Sequence, residues 1–474
     1  MSSHTVAAGR WAGLREFWRL AREAVAGSER DYTTGPVGQA VLVLAVPMVL
    51  EMGMESLFAV VDVYFVARLG AAAVATVGLT ESMLAIVYTV AMGLSIGATA
   101  VVARRIGEKD ADGAGEAAAQ SVLLGAVVAA AIGVFGVWKA EWLLSLMGAT
   151  PEMIEGSAGY TRVMLGGNAT VTLLFLINAV FRGAGDAATA MRMLWVANGL
   201  NIVLDPCLIF GWGPFPELGI TGAAVATNIG RGAAVAVQLW ILMRGSRRVR
   251  VAWHQLRVMP SVMWTVARLS GTGFFQILID TSSWIGLVRV ISTFGADALA
   301  GYTIGIRTVL FAIMPAWGLS NAASTMVGQG LGAQKPERAR EAVWTAGRYN
   351  LWFLGSIGLV FVVFAPDMVA LYTDDAVVAR HAVDCLRIVS AGFPFFAYGL
   401  VFTQAFNGAG DTWTPTWLNF VCFWAWQIPL AWWLALQLGF GPLGVYVAVT
   451  VAFSTLAVVG GLVFRRGGWA TRQV

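Results

Sequence analysis

Phe181-Arg182-Gly183-Ala184-Gly185-Asp186 returns as Phe406-Asn407-Gly408-Ala409-Gly410-Asp411, 225 residues later. The same shift, without a gap, carries Gly93-Leu94-Ser95 onto Gly318-Leu319-Ser320 and Gly70-Ala71 onto Gly295-Ala296. It also carries Gly107 onto Gly332, Glu116-Ala117 onto Glu341-Ala342, and Leu218-Gly219 onto Leu443-Gly444. Many of these positions are glycines or small residues, which mark tight turns and close backbone approach. Two similar halves leave a natural cleft between them, and in membranes such duplicated architectures are typical of transporters.

The chain is 58% hydrophobic and 12% charged, well outside the range of soluble domains. Apolar runs of spanning length recur from about residue 40 to 464, so the expected fold is all-α and polytopic. The first 35 residues hold no apolar signal core, and no cleaved secretory peptide is expected. Cys207, Cys385 and Cys422 lie far apart, and His4, His254 and His381 are not at ligand spacing. Disulfides and a Cys or His metal site are therefore not expected. No P-loop occurs. Gly93-Leu94-Ser95-Ile96-Gly97 fits a hydrolase elbow in letters, but it lies in an apolar span without a histidine partner, so it reads as helix packing. The sequon Asn168-Ala169-Thr170 likewise starts inside a span. Nothing here points to an enzyme.

The periodicity predicts about twelve helices, near 40–66, 79–101, 117–138, 160–181, 192–212, 220–243, 262–290, 300–327, 345–365, 384–406, 415–436 and 443–464. The first and seventh are long enough to tilt or bend. These divide into an N-terminal segment 1–39, an N-lobe 40–243, a linker 244–261, a C-lobe 262–464 and a tail 465–474. Arg104, Arg105, Lys109, Arg244, Arg247, Arg248, Arg250, Lys335 and Arg338 fall on one side, whereas Arg68, Lys139 and Arg380 alone fall on the other. That asymmetry predicts cytoplasmic termini and linker. An even number of helices per half makes the repeat parallel, about an axis along the membrane normal. The basic linker is expected to meet anionic lipid heads rather than nucleic acid. Trp11, Leu14, Trp18, Ala21 and Val25, with Arg15, Arg19 and Arg22 between them, predict an interfacial amphipathic helix.

Charges inside apolar spans are costly and so are the functional candidates. Glu51, Glu55 and Asp62 share one stripe of the first helix. Asn201 and Asp205 share a face of the fifth. The sixth helix adds Thr221 and Thr227, the fourth adds Asn178, and the seventh holds Asp280. Under the 225 shift Glu55 falls on Asp280, but Asp62, Asn201 and Asp205 fall on Leu287, Trp426 and Leu430. Restriction of those three to the first half predicts chemistry specialised there. Buried arginines such as Arg231 or Arg307 are the alternative partners for the carboxylates. Carboxylates with Asn and Thr oxygens suit either H+ or Na+ as a coupling ion. Glu51, Glu55, Asp280 and Met52 are expected in the cavity between lobes. Methionines and aromatics, including Met48, Trp284, Trp317, Phe393, Phe395, Phe396, Trp424 and Trp426, suit bulky apolar cations.

Together Leu44-Ala45-Val46-Pro47, Val61-Asp62, the two Gly-Ala-Gly-Asp motifs, Asn201 through Asp205-Pro206 and Leu218-Gly219-Ile220-Thr221-Gly222-Ala223-Ala224-Val225-Ala226-Thr227 resemble the multidrug and toxic compound extrusion (MATE) family. The resemblance covers about residues 36–464. It implies two parallel six-helix lobes and cation-driven export of small organic, often cationic, molecules across a bacterial inner membrane. It further implies that Asp62, Asn201, Asp205 and Thr227 form an N-lobe cation site, that Pro47 is tied to bending of the first helix, and that Asp280 matches a family acidic position. One departure is that span 384–406 carries no acidic residue beyond Asp384 at its start. The expected activity is antiport against H+ or Na+, with no other cofactor and no obligate protein partner. A lipid-linked precursor flippase is the alternative, disfavoured by the acidic stripe; an intramembrane enzyme or a receptor is less consistent with the repeat.

Overall fold

The computed structural model describes residues 3–246 and 248–472. Among the described residues the chain forms helices and no strands. After α1 (Ser3–Ala26), the first half contains α2 (Val37–Ala67), α3 (Ala71–Gly107), α4 (Ala111–Leu146), α5 (Pro151–Gly166), α6 (Asn168–Ala184), α7 (Ala187–Phe210) and α8 (Ile220–Arg244). The second half contains α9 (Pro260–Ile291), α10 (Ala296–Gly332), α11 (Pro336–Val369), α12 (Ala376–Ala391), α13 (Phe393–Gly408), α14 (Trp413–Asn419), α15 (Ile428–Trp432) and α16 (Pro442–Arg465).

Each expected span has its helical counterpart, but three are not simple helices. The spans expected at 160–181 and 384–406 break at Gly167 and Gly392, positions 225 residues apart. In the second pair the halves meet at 57°, where Pro394, which has no N–H to donate, opens α13. The span expected at 415–436 passes through π-helical turns at Phe420–Gln427 and Trp433–Gln437, around α15. Asp384 is consequently well inside α12 rather than at the start of its span.

The repeat is visible in backbone angles. Gly70 and Gly295 open α3 and α10 at φ 99° and 97°, Gly185 and Gly410 follow α6 and α13 at φ 85° and 79°, and Lys109 and Gln334 share the left-handed region at φ 63° and 56°. The constant shift fails before the last helix. Gly219 (φ 55°, ψ −136°) opens α8 as Gly441 (φ 60°, ψ −144°) opens α16. The Leu218-Gly219 and Leu443-Gly444 match is therefore one of letters, because the loop before α16 is shorter than the one before α8.

At the end of the bundle that carries the basic loops, the halves meet on small residues. A Cβ on Gly328 would stand 2.6 Å from Ala103 Cβ across the two halves. Arg182 and Gly183 carbonyls accept from Thr325 Oγ1 at 3.0 Å and Gln329 Nε2 at 3.0 Å. The segment joining α1 to α2 lies across this end. Arg338 of α11 donates to the carbonyls of Tyr32, Gly35 and Thr34 at 2.8, 2.7 and 2.5 Å. Lys335 Nζ donates to Thr33 O at 2.9 Å, and Arg248 of the linker donates to the carbonyls of Ser28 and Arg30. Helix α1 docks through Leu20 and Ala24, leaving Trp18 58% exposed. The side chains of Trp11 and Leu14, and Arg247 entirely, lie outside the described residues.

Candidate functional site

Three polar layers cross the interior of the first half, each anchored on α2. In the first, Glu51 Oε1 accepts from Arg182 Nη1 at 2.5 Å and from Asn178 Nδ2 at 2.9 Å, and Gln238 Nε2 donates to Asn178 Oδ1 at 2.6 Å. One turn on, Glu55 accepts from Asn198 Nδ2 at 3.0 Å and from Arg231 Nη2 at 3.3 Å, while Arg231 Nη1 donates to Tyr88 Oη at 3.0 Å. Arg231 also lies 5.4 Å from the Phe58 ring centroid. Buried charges persist only when paired and hydrogen-bonded; both glutamates have an arginine partner, although Glu51 Oε2 accepts no hydrogen bond.

The third layer is built differently. Asp205 is fully buried, and Asn201 is 1% exposed. The amide orientation that satisfies both neighbours has Asn201 Nδ2 donating to Asp205 Oδ2 at 2.7 Å and Oδ1 accepting from Thr227 Oγ1 at 2.9 Å. Asp205 Oδ1 has no hydrogen-bond partner. Asp62, half-buried on α2, lies within electrostatic reach of Asp205, and Glu81 of α3 lies within reach of Asp62. Among the described residues no arginine or lysine forms an ion pair with Asp205 or Asp62.

A cavity of about 340 Å³ lies between the halves. Glu55, Asp62, Glu81, Tyr88 and Arg182 supply its polar wall from the first half, and Asn321, Ser324, Thr325 and Gln404 supply it from the second. Met52, Met92, Met314, Phe58, Phe175 and Trp317 complete the wall. Its lower limit is the seam of small residues around Ala103 and Gly328.

The structure brings Asp62, Asn201, Asp205 and Thr227 together. It separates Asn178 from them: Asn178 is bound to Glu51, and Glu51 lies eleven residues before Asp62, about 16 Å along the helix at 1.5 Å per residue. Glu55 and Met52 line the cavity as expected, whereas Glu51 is sealed behind Arg182. Asp280 is absent from the cavity wall and has no ion-pair partner among the described residues. Trp284, Phe393, Phe395, Phe396, Trp424 and Trp426 also lie away from the cavity. Leu287 and Leu430, the counterparts of Asp62 and Asp205, join the apolar core of the second half. Helix α2 continues unbroken through Pro47. Pro47 has no N–H for the Val43 carbonyl.

Three functional neighbours escape a reading of the spans. Glu81 falls at the edge of the predicted span but eleven residues into α3, facing Asp62. Arg182 belongs to the turn motif yet points from the last turn of α6 into the cavity. Asn198 shares the α7 face of Asn201 and Asp205, a helical spacing that marks it in retrospect.

The MatE family model matches residues 47–207 and 273–433. The chain is 26% identical over 437 residues to the probable multidrug resistance protein NorM of Thermotoga maritima, covering 91% of this chain and 93% of that protein. It is 24% identical to the FAD transporter of Shewanella oneidensis, covering 79% and 83%. It superposes with TM-score 0.86 and 25% identity on the outward-facing conformation of a multidrug resistance MATE family transporter of the MOP superfamily, covering 92% and 96%.

Proposed function

The chain belongs to the MATE family of multi-pass membrane transporters, and from that premise we propose a secondary active antiporter that exports organic cations in exchange for H+ or Na+. One observation carries this reading. Asp205 is buried beside Asp62 with an unpartnered oxygen and, among the described residues, no ion pair to an arginine or lysine. Two carboxylates in each other's field are stabilised jointly by one incoming cation. A proton would sit on a carboxylate oxygen. Na+ would use the two aspartates with the Asn201 and Thr227 oxygens, the hard ligands such an ion prefers.

The ion drives transport only if it favours one conformation over another. Binding at Asp62 and Asp205 ties α2 to α7, and the uncoupled Val43 carbonyl beside Pro47 gives α2 a place to bend. The cargo occupies the cavity, its apolar body against methionine and aromatic walls and its charge toward Glu81 and Asp62. From the asymmetry of basic residues we place both termini and the basic loops in the cytoplasm of a bacterial cell, with the protein in the inner membrane and the closed seam on the cytoplasmic side.

A second reading is favoured by Arg182. Its guanidinium lines the cavity floor, so the pocket is not uniformly acidic and an anionic group on the cargo has a partner, as the likeness to an FAD transporter also suggests. Arg182 and Arg231 pair with Glu51 and Glu55, so of the α2 carboxylates Asp62 is left without an ion pair among the described residues, and the acidic stripe weighs less against a lipid-linked anion. Flux into proteoliposomes under an imposed pH or Na+ gradient tests both readings. Gradient-dependent movement of an organic cation supports the first, movement of a dinucleotide supports the second, and indifference of all flux to both gradients overturns antiport.

A further inference from the structure

On the outer wall of the second half, α11, α13 and α16 frame a groove unrelated to the central cavity. Ala457 and Gly461 form its floor at a spacing of four, and Trp344, Phe395, Tyr398 and Phe402 form its walls. Its volume is about 280 Å³. Gly461 keeps the floor low: a Cβ there would already stand 3.1 Å from the Phe402 ring. Val458 and Leu462, on the rim, are 53% and 55% exposed, as befits residues facing acyl chains.

The groove carries a charge at one end only. Arg465, four residues beyond Gly461 on the same face and in the last turn of α16, holds its guanidinium 5.3 Å from the Trp344 ring centroid. No carboxylate among the described residues is ion-paired with it. Arg340, one turn before Trp344, stands beside Gly467 at the same end, but its Nη1 donates to Glu337 at 3.3 and 3.4 Å, so its charge is already matched. From Ala457 to Arg465 the floor runs about 12 Å at 1.5 Å per residue, ending where α16 ends and a headgroup layer begins. Arginines at such depths reach for the interface with their charge and cover apolar surface with their stems.

We propose that this groove binds one anionic phospholipid, with an acyl chain along Ala457 and Gly461 and its phosphate on Arg465. The apolar trough fixes the chain, Arg465 selects the headgroup, and the site does not depend on which ion or cargo the transporter uses.

The test is native mass spectrometry of the full-length protein titrated with dioleoylphosphatidylglycerol or dioleoylphosphatidylcholine. The wild type should retain one phosphatidylglycerol, roughly fivefold in preference to phosphatidylcholine, the factor expected for one arginine near an anionic surface. Arg465→Gln, a surface change that leaves packing intact, should erase the headgroup preference. Gly461→Leu should lose both lipids by filling the floor. Arg380→Gln, at the opposite end of the bundle, should change nothing. Unaltered preference in Arg465→Gln, or competition by soluble glycerol phosphate as strong as by the lipid, would overturn the proposal.

Discussion

Gly107 and Gly332 each press on the other's helix: a Cβ on Gly107 would stand 2.2 Å from the Gln329 carbonyl oxygen, and one on Gly332 would stand 2.2 Å from the Arg104 carbonyl oxygen. Gln329 follows Arg104 by the same 225 residues that separate the glycines, so the contact is two-fold symmetric. It closes the basic end of the bundle through backbone rather than side chains, and backbone cannot step aside.

Gly332→Ala should therefore force the two halves apart at that seam. A cysteine introduced at Gln334 should react faster with a membrane-impermeant thiol reagent from the basic side in this variant than in the wild-type background. Gly355→Ala, where a Cβ meets nothing within 4 Å, serves as the control and should be neutral or stabilising by up to ~1 kcal/mol, the helix preference for alanine over glycine. Equal reactivity in both variants would remove the seam from the account.

The strap from Ser28 to Gly35 should matter in the same direction. Arg338→Gln deletes the hydrogen bonds to Tyr32, Thr34 and Gly35, and limited proteolysis within 28–35 should accelerate severalfold while the spans stay protected. Burial opposes the Asp31 carboxylate, but the Thr33 hydroxyl and amide that donate to it, with Lys109 and Lys335 nearby, hold it below its usual range. A depressed carboxyl contributes stability above its unfolded value near 3.9 and loses it as pH falls through the lower folded value. Proteolysis of the strap should thus be flat between about pH 5 and 8 and rise only in acid. A rise near neutrality would contradict this assignment.

Breaking the second polar layer should cost stability rather than coupling. Arg231→Met leaves Glu55 buried without its cation, a loss of about 3–5 kcal/mol for pairs of this kind. Arg231→Met with Glu55→Gln should recover much of it. Thermal unfolding of the purified variants reads the difference. A double variant as unstable as the single one would show that Arg231 acts through Tyr88 and Phe58 instead.

The fold was legible because its determinants are compositional: apolar length and a repeat that keeps one offset over most of the chain. The breaks at Gly167 and Gly392 were not, since the runs around them have the length and polarity of one span. Nor were the π turns of 420–437, which leave the apolar pattern intact. Asp62, Asn201 and Asp205 stood out because charge within apolar sequence is rare and their counterparts are apolar. Pairing is a tertiary matter, and nothing in the α2 stripe tells Glu51, ion-paired with Arg182, from Asp62, which has no ion-pair partner among the described residues. Asn178 was misgrouped for the same reason: residue type suggests a ligand, but depth along the bundle decides which carboxylate it meets.

Coupling is proposed to reside in Asp62 and Asp205, and equilibrium binding of an organic cation to purified protein, across a pH series with and without Na+, tests that most directly. Wild-type affinity should shift with pH or with Na+. Asp62→Asn and Asp205→Asn should each still bind the cation, with an affinity that no longer responds to either ion. Wild-type-like ion dependence in both variants would contradict the account.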